Sequence, residues 1–117
     1  IRGGHNIHPS RIENLAIKHP AVLKAAAFPM ADHRLGERVC LAIIARDSSA
    51  VEAAELLAHL NHTGLSKYDM PEFFICMDAF PLTASGKILK RELVEWVKAG
   101  KIAPAPVRWV EPEKRSA

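Results

Sequence analysis

The sequence predicts an α+β fold: a small domain in which a short, mainly antiparallel sheet is covered by about three helices. Apolar residues at helical spacing alternate with apolar runs of strand length, in the order helix, two strands, helix, strand, helix. The 117 residues are 49% hydrophobic and 25% charged, which is enough to form one modest core. We therefore expect a folded domain with about three strands, plus the remnant of a hairpin at its N-terminal end.

The first helix is expected over residues 9–18. Ser10 and Glu13 have the spacing of a capping box, and apolar residues then recur on one face. The helix ends before Pro20, because the residue that precedes a proline is pushed out of helical geometry.

The first two strands are expected to form an antiparallel pair. Residues 21–28 are almost continuously apolar and end at Pro29, and residues 38–45 form a second apolar run rich in β-branched side chains. Turn-forming residues occupy 31–37 between them. A connection this short favours two strands that lie side by side.

The middle of the chain predicts a second helix and a third strand. Ser49 and Glu52 repeat the capping-box spacing, which predicts a helix over 51–62. Residues 72–77 follow a polar loop and are expected to form the third strand. The apolar stripe of this helix consists of Ala53, Leu56, Leu57 and Leu60.

The third helix is expected to start at Ile88 and to end at Gly100, a residue suited to the left-handed conformation at a helix end. We place the domain at 1–100. Residues 101–117 combine prolines with charged residues and lack periodicity, so a loosely ordered tail is expected there.

Composition excludes several classes of protein. No apolar stretch approaches the roughly 20 residues that cross a bilayer, so no membrane span is expected. The net charge of +3 is too small to indicate a nucleic-acid partner by itself. Cys40 and Cys76 lie in apolar runs, and we interpret them as small buried side chains in a reducing, cytoplasmic setting.

Residues 81–87, Pro-Leu-Thr-Ala-Ser-Gly-Lys, present one lysine, Lys87, directly after a glycine. Thr83 and Ser85 can satisfy local backbone groups, and Gly86 removes a side chain that would keep a ligand away from the main chain. A nucleotide-binding P-loop is excluded, because Ile88 stands where that motif needs a hydroxyl residue. From these residues alone, an ordinary solvated loop is as good an interpretation of 81–87 as a functional loop that presents Lys87.

Several other residues have both a functional and an ordinary interpretation. His59 and His62 lie one helical turn apart, but no further ligands accompany them, so surface histidines are expected and no metal site. Trp96 is expected in the core, and Trp109 is expected to dock from the tail. Lys90 is expected to orient its helix or to pair with a nearby acid. Solvated charges are the preferred interpretation, over contacts to phosphates, for Arg34, Lys67 and Arg91.

Four segments occur in an order that resembles one family. These are Gly3-Gly4-His5-Asn6-Ile7 before a helix, the His-Pro-Ala-Val at 19–22, the loop at 32–37, and the lysine segment at 81–87. Together they resemble the C-terminal domain of the adenylate-forming (acyl-CoA synthetase, AMP-binding) enzymes. The resemblance covers about residues 1–93.

The resemblance implies a two-step reaction that uses ATP, Mg²⁺ and coenzyme A. Lys87, next to Gly86, would support attack of a carboxylate on ATP. The domain would then rotate against its own large N-terminal domain, and Gly3 and Gly4 would line the path of the coenzyme A thiol, flanked by His5 and Asn6. The chain is expected to begin just after the hinge, and the fragment alone is expected to be inactive.

The resemblance also favours an acyl-CoA ligase acting on a fatty or alicyclic carboxylic acid. Asn6 stands where the peptide-synthetase branch often has an arginine, which supports the acyl-CoA branch. Two alternatives stay open: an adenylation domain that loads the pantetheine of a carrier protein, and a non-catalytic interaction module that acts alone.

Overall fold

The structure is a computed structural model that describes residues 8–32, 36–48 and 51–110. Within these ranges the chain forms helices and strands in the order α1 (Pro9–Ala16), β1 (Val22–Asp32), β2 (Gly36–Ala45), α2 (Ala53–His62), β3 (Phe73–Met77), α3 (Lys90–Lys98) and β4 (Ala105–Pro106). The predicted α+β class is confirmed.

The four strands form one mixed sheet in the order β1-β2-β3-β4. β1 pairs with β2 antiparallel, β2 pairs with β3 parallel, and β3 pairs with β4 antiparallel. The parallel pairing follows from α2, because a helix between two strands returns the chain to the end of the sheet at which the first strand began. The predicted N-terminal hairpin remnant lies outside the described residues, and the fourth strand comes from the C-terminal end instead.

β1 continues to Asp32, so the predicted end of this strand before Pro29 is wrong. The N–H of Ala27 donates to a side chain of α1, which shows that it points away from β2. Pro29 lies two residues further along the strand and therefore faces the same way. A proline is tolerated there because the ladder to β2 needs no hydrogen from its nitrogen.

Side chains alternate between two cores along β1 and β2. The α1/α2 core, on one face, includes Ala25, Ala27, Val39, Leu41, Ile43, Ile12, Leu15, Leu56, Leu57 and Leu60. The α3 core, on the other face, consists of buried Ala26, Phe28, Cys40, Ala42, Phe80 and Leu93. Both faces of these strands are covered, which is why their sequences are continuously apolar.

The helix starts differ from the predicted capping boxes. α1 begins at Pro9 with His8 as its N-cap and no side-chain cap, and the carboxylate of Glu13 is used elsewhere. α2 begins at Ala53 with Glu52 as N-cap, while Ser49 lies outside the described residues. Both capping-box predictions are therefore wrong, although the helices exist.

The third helix and the cysteines give mixed outcomes. α3 starts at Lys90, two residues after the predicted start, and Gly100 has the expected left-handed conformation with φ +76°. Cys40 is buried, and burial raises the pKa of its thiol to about 12. Cys76 is exposed, so its predicted burial is wrong. The side chains of β3 are only partly buried, and no element covers the strand at Cys76 within the described residues.

The first part of the tail joins the sheet. Val107 donates its N–H to the Glu72 carbonyl oxygen at 2.8 Å, and Trp109 packs against the α1/α2 core, as its expected docking requires. The sequence did not predict β4. The placement of a domain boundary near residue 100 stays a prediction. No helix within the described ranges is long and apolar enough to cross a bilayer.

Candidate functional site

Residues 81–89 form a closed turn that we name the Lys87 hairpin. Leu82 and Ile88 face each other in an isolated antiparallel bridge. Below it, the Leu89 N–H donates to the Pro81 carbonyl oxygen at 2.8 Å; above it, the Thr83 N–H donates to the Lys87 carbonyl oxygen at 2.8 Å. The segment is a hydrogen-bonded hairpin and not an open loop.

The hydroxyl of Thr83 organises the tip of the hairpin. Its oxygen accepts from the Lys87 N–H at 3.0 Å and lies 3.0 Å from the Ser85 hydroxyl oxygen. The Gly86 N–H donates to the Thr83 carbonyl oxygen at 2.9 Å. Thr83 therefore serves the local backbone, as its position in the sequence suggested.

Gly86 is required by backbone conformation and not by space. Its φ is +89°, and a Cβ built on it would meet no atom within 4 Å. A side chain at this φ would cost about 1–2 kcal/mol. Gly86 therefore lets the chain turn so that Lys87 follows directly, while its expected role in admitting a ligand to the main chain stays a prediction.

Lys87 is exposed at the end of this turn. No ion pair joins its ammonium to another residue within 8–32, 36–48 or 51–110. Its backbone is fixed by two hydrogen bonds while its side chain extends into solvent. This arrangement presents an exposed cation on a hydrogen-bonded backbone.

Glu13 connects the residue that follows the hairpin to the rest of the domain. Its position in the sequence predicted only a role in capping α1. One carboxylate oxygen of Glu13 accepts from the Ala27 N–H at 2.7 Å and lies 2.5 Å from the ammonium nitrogen of Lys90. Lys90 is the first residue of α3. Its expected pairing with an acid is confirmed, and the acid comes from α1.

The glycine segment, Gly3-Gly4-His5-Asn6, lies outside the described residues, as does Arg34. α1 begins shortly after that segment, at Pro9. Lys67 and Arg91 are exposed, and the Lys67 ammonium lies 5.4 Å from the centre of the Tyr68 ring. The prediction that these two charges are solvated agrees with their exposure.

The two histidines of α2 differ from each other. His62 is exposed, but a ring nitrogen of His59 lies 2.8 Å from the Leu15 carbonyl oxygen, and its ring meets that of His19 edge to face at 5.0 Å. His59 therefore links α2 to α1, which corrects its prediction as a surface residue. The described part of the chain contains no group of three side chains able to hold a metal ion.

A shallow groove of about 400 Å³ lies where the C-terminal segment crosses the turn before β3. Its lining includes Lys67, Arg108 and Trp109. The indole nitrogen of Trp109 is buried, with no hydrogen-bond partner in the described structure.

The predicted core position of Trp96 is confirmed, since it packs against the α3 core.

These features define a small domain that presents a lysine on a hydrogen-bonded hairpin. Residues 11–87 match the family described as the AMP-binding enzyme C-terminal domain, and the match includes α2, the first three strands and the Lys87 hairpin as far as Lys87 itself. The chain belongs to this family.

Relatives of the chain differ in the acids they are named for. It is 44% identical over 94 residues to the 2,3-dihydroxybenzoate-AMP ligase of Bacillus subtilis, a match that covers 80% of this chain and 17% of the relative. It is 36% identical over 95 residues to a mitochondrial medium-chain acyl-CoA ligase of Mus musculus, covering 81% and 15%.

A solved structure shows the same fold. The Mycobacterium tuberculosis fatty acyl CoA synthetase superposes with a TM-score of 0.77 at 31% identity, covering 86% of this chain and 20% of that one. The chain thus spans about a fifth or less of the length of the proteins it matches.

Proposed function

We propose that this chain is the C-terminal domain of an acid–thiol ligase in which Lys87 supports formation of an acyl-adenylate. The observation that carries the proposal is the Lys87 hairpin, whose backbone is fixed by local hydrogen bonds while its ammonium pairs with no described residue. Membership of the adenylate-forming family supplies the reaction class.

In the first half-reaction, a carboxylate oxygen of the acid attacks the α-phosphorus of ATP. The bond from that phosphorus to the bridging oxygen breaks, and pyrophosphate leaves with its electron pair. Two anions must approach each other, so a preorganised cation lowers the barrier. The ammonium of Lys87 is compact and carried on a flexible stem, which suits a contact to both the carboxylate and the phosphate.

In the second half-reaction, a thiol attacks the carbonyl carbon of the adenylate and AMP leaves. We propose that the domain rotates against its own N-terminal domain between the two steps, so that Lys87 withdraws. Gly3 and Gly4 would then line the thiol path, with His5 and Asn6 beside it. The absence of side chains at the two glycines suits the passage of a narrow pantetheine arm.

The substrates would be held mainly by the N-terminal domain. Mg²⁺ accompanies ATP in this reaction class, but the described residues offer no cluster of ligands for it. We therefore assign no metal ligand to these residues and derive no step through the ion.

The acceptor that we propose is coenzyme A, with a fatty or alicyclic acid as substrate. Similarity to a medium-chain acyl-CoA ligase supports this choice. The second candidate is an aryl acid loaded onto carrier-protein pantetheine, which the 44% identity to a 2,3-dihydroxybenzoate-AMP ligase favours. A cytoplasmic location stays a prediction, as does the alternative of a stand-alone interaction module.

The test measures the two half-reactions separately on the full-length enzyme. Lys87→Ala is expected to slow ATP-dependent adenylation by roughly a hundred- to a thousandfold, as loss of one preorganised contact does, while supplied acyl-adenylate is still converted to thioester. Gly4→Leu is expected to show the opposite pattern, because its side chain would obstruct the thiol.

Lys98→Ala is the matched control, since Lys98 is an exposed lysine on α3 whose nitrogen lies 3.9 Å from Glu95 of the same helix. It should leave both half-reactions within twofold of wild type. Equal losses in both half-reactions for Lys87→Ala would refute the proposed division of labour. A panel of fatty, alicyclic and aryl acids, each with coenzyme A and with a carrier protein, decides between the two acceptors.

A further inference from the structure

The ion pair between Glu13 and Lys90 lies at the base of the Lys87 hairpin and joins three elements. Lys90 opens α3 directly after the hairpin, Glu13 is on α1, and the same carboxylate oxygen of Glu13 accepts from the Ala27 N–H in β1. We propose that Glu13 and Lys90 are positioning residues, which set the orientation of the hairpin and thereby of Lys87. This inference rests on the proposed role of Lys87.

Little else holds the hairpin to the domain. Two hydrogen bonds, donated by the N–H groups of Glu92 and Leu93 to the Leu89 carbonyl oxygen, join it to the first turn of α3. The hydrogen bonds donated by Thr83, Gly86, Lys87 and Leu89 close within residues 81–89. Such bonds fix the shape of the hairpin but not its direction. The hairpin side chains are exposed or half-buried, and Ile88 is the member that packs against the α3 core. Its direction therefore depends on that contact and on where α3 begins.

The position of Lys90 is well determined. The exposed fraction of the Glu13 side chain is 19% and that of Lys90 is 40%, so the pair is partly shielded from water and salt. Glu13 cannot swing away without leaving the Ala27 N–H unsatisfied. The carboxylate therefore offers Lys90 a fixed anchor, unlike an exposed surface ion pair whose partners both move.

The pairing of Lys90 with Glu13 matters because the rate of adenylation depends strongly on where the ammonium of Lys87 is placed. A misplacement of about 1 Å can cost roughly a hundredfold. Lys90 is three residues from Lys87, with the Ile88–Leu82 bridge between them. A shift at the start of α3 therefore reaches Lys87 directly. α1 is held independently by buried Ile12 and Leu15, so loss of the pair should not displace it.

The test uses Lys90→Met and Glu13→Gln in the full-length enzyme. Lys90→Met keeps the apolar stem, and Glu13→Gln keeps an oxygen acceptor for Ala27, so each removes mainly the charge. Each is expected to lower kcat of adenylation by about tenfold or more, with thioester formation from supplied acyl-adenylate within twofold of wild type. The double variant should be no slower than either single variant, because both remove one interaction.

Three controls separate positioning from general damage. Lys98→Met removes a charge from the same helix and should change neither half-reaction. Lys90→Arg should restore most of the activity, since it can still pair with Glu13. Thermal unfolding of Lys90→Met should stay close to that of wild type; equal losses in both half-reactions, or additive losses in the double variant, would overturn the inference.

Amide hydrogen exchange provides a readout that does not depend on catalysis. In Lys90→Met, exchange should accelerate for residues 83–89 and stay unchanged for the buried strand β2. Unchanged exchange in the hairpin would overturn the positioning role even if activity fell. If Lys87→Ala keeps its adenylation rate, the proposed function fails, while the exchange experiment still reports whether Lys90 orients the hairpin.

Discussion

The two faces of the sheet are built differently. The α1/α2 core contains large aliphatic side chains from two helices, and its members are mostly fully buried. The α3 core has six buried residues, two of them alanines, surrounded by partly buried side chains such as Met30, Met77 and Trp96. The first face stabilises the domain, and the second carries the helix that follows the Lys87 hairpin. We infer that the Lys87 hairpin is attached to the side with fewer fully buried side chains.

The largest expected difference between the faces is in stability. Leu60 in α2 and Leu93 in α3 are both 0% exposed, which makes them a matched pair. Leu60→Ala should cost about 4 kcal/mol of unfolding free energy and Leu93→Ala about 2–3 kcal/mol, because flexible methionines can relax into the second cavity. Urea unfolding of the 117-residue chain measures both. Equal costs would show that the two cores are equally rigid.

A smaller difference is expected between two glycines with positive φ. Gly86 in the hairpin has φ +89° and Gly100 after α3 has φ +76°, and at both positions a side chain would find open space within 4 Å. Alanine at either site should cost about 1–2 kcal/mol. Only Gly86→Ala should slow adenylation in the full-length enzyme, by about tenfold, because only it displaces Lys87. A comparable loss in Gly100→Ala would mean that the whole of α3, and not the hairpin tip, sets the rate.

The smallest effect concerns Cys40 in the α3 core. Burial holds the pKa of its thiol at about 12 against an ordinary 9.0, so the folded state favours the neutral thiol and loses stability as pH rises from about 9 to 12. Between pH 8 and pH 10 the loss should be about 1.4 kcal/mol. The same pH series on Cys40→Ala isolates this contribution from other titrating groups. A pH dependence that is identical in the variant would show that the thiol is accessible to water.

The sequence predicted the elements better than it predicted their ends and partners. Continuous apolar runs indicated β1 and β2 because both faces of those strands are buried. The sequence predicts the end of β1 too early, because whether a proline is tolerated depends on which side of the strand its nitrogen faces. β4 was missed because two residues held by pairing to β3 carry no periodicity of their own.

In the candidate site, too, the residues with local partners could be predicted from the sequence and the residue with distant partners could not. Lys87 and Gly86 could be identified from local turn chemistry, because their hydrogen bonds close within a few residues of sequence. The sequence predicts only a capping role for Glu13, since its partners, Ala27 and Lys90, lie far along the chain in β1 and at the start of α3. Only the packing of α1 and α3 on opposite faces of β1 brings them together, and no spacing in the sequence indicates it.

The hydrogen bond from Ala27 to Glu13 also affects association between molecules. Among the described strands, β1 lies at one edge of the sheet, and a free row of N–H groups on an edge strand can template a strand from another molecule. Glu13 occupies the Ala27 N–H, and Pro29 offers none at the next outward position. At the opposite edge, β4 is two residues long and ends in Pro106. Addition of a strand from another molecule is thus disfavoured at both edges of the described sheet, so these edges contribute little to any tendency of the domain to aggregate.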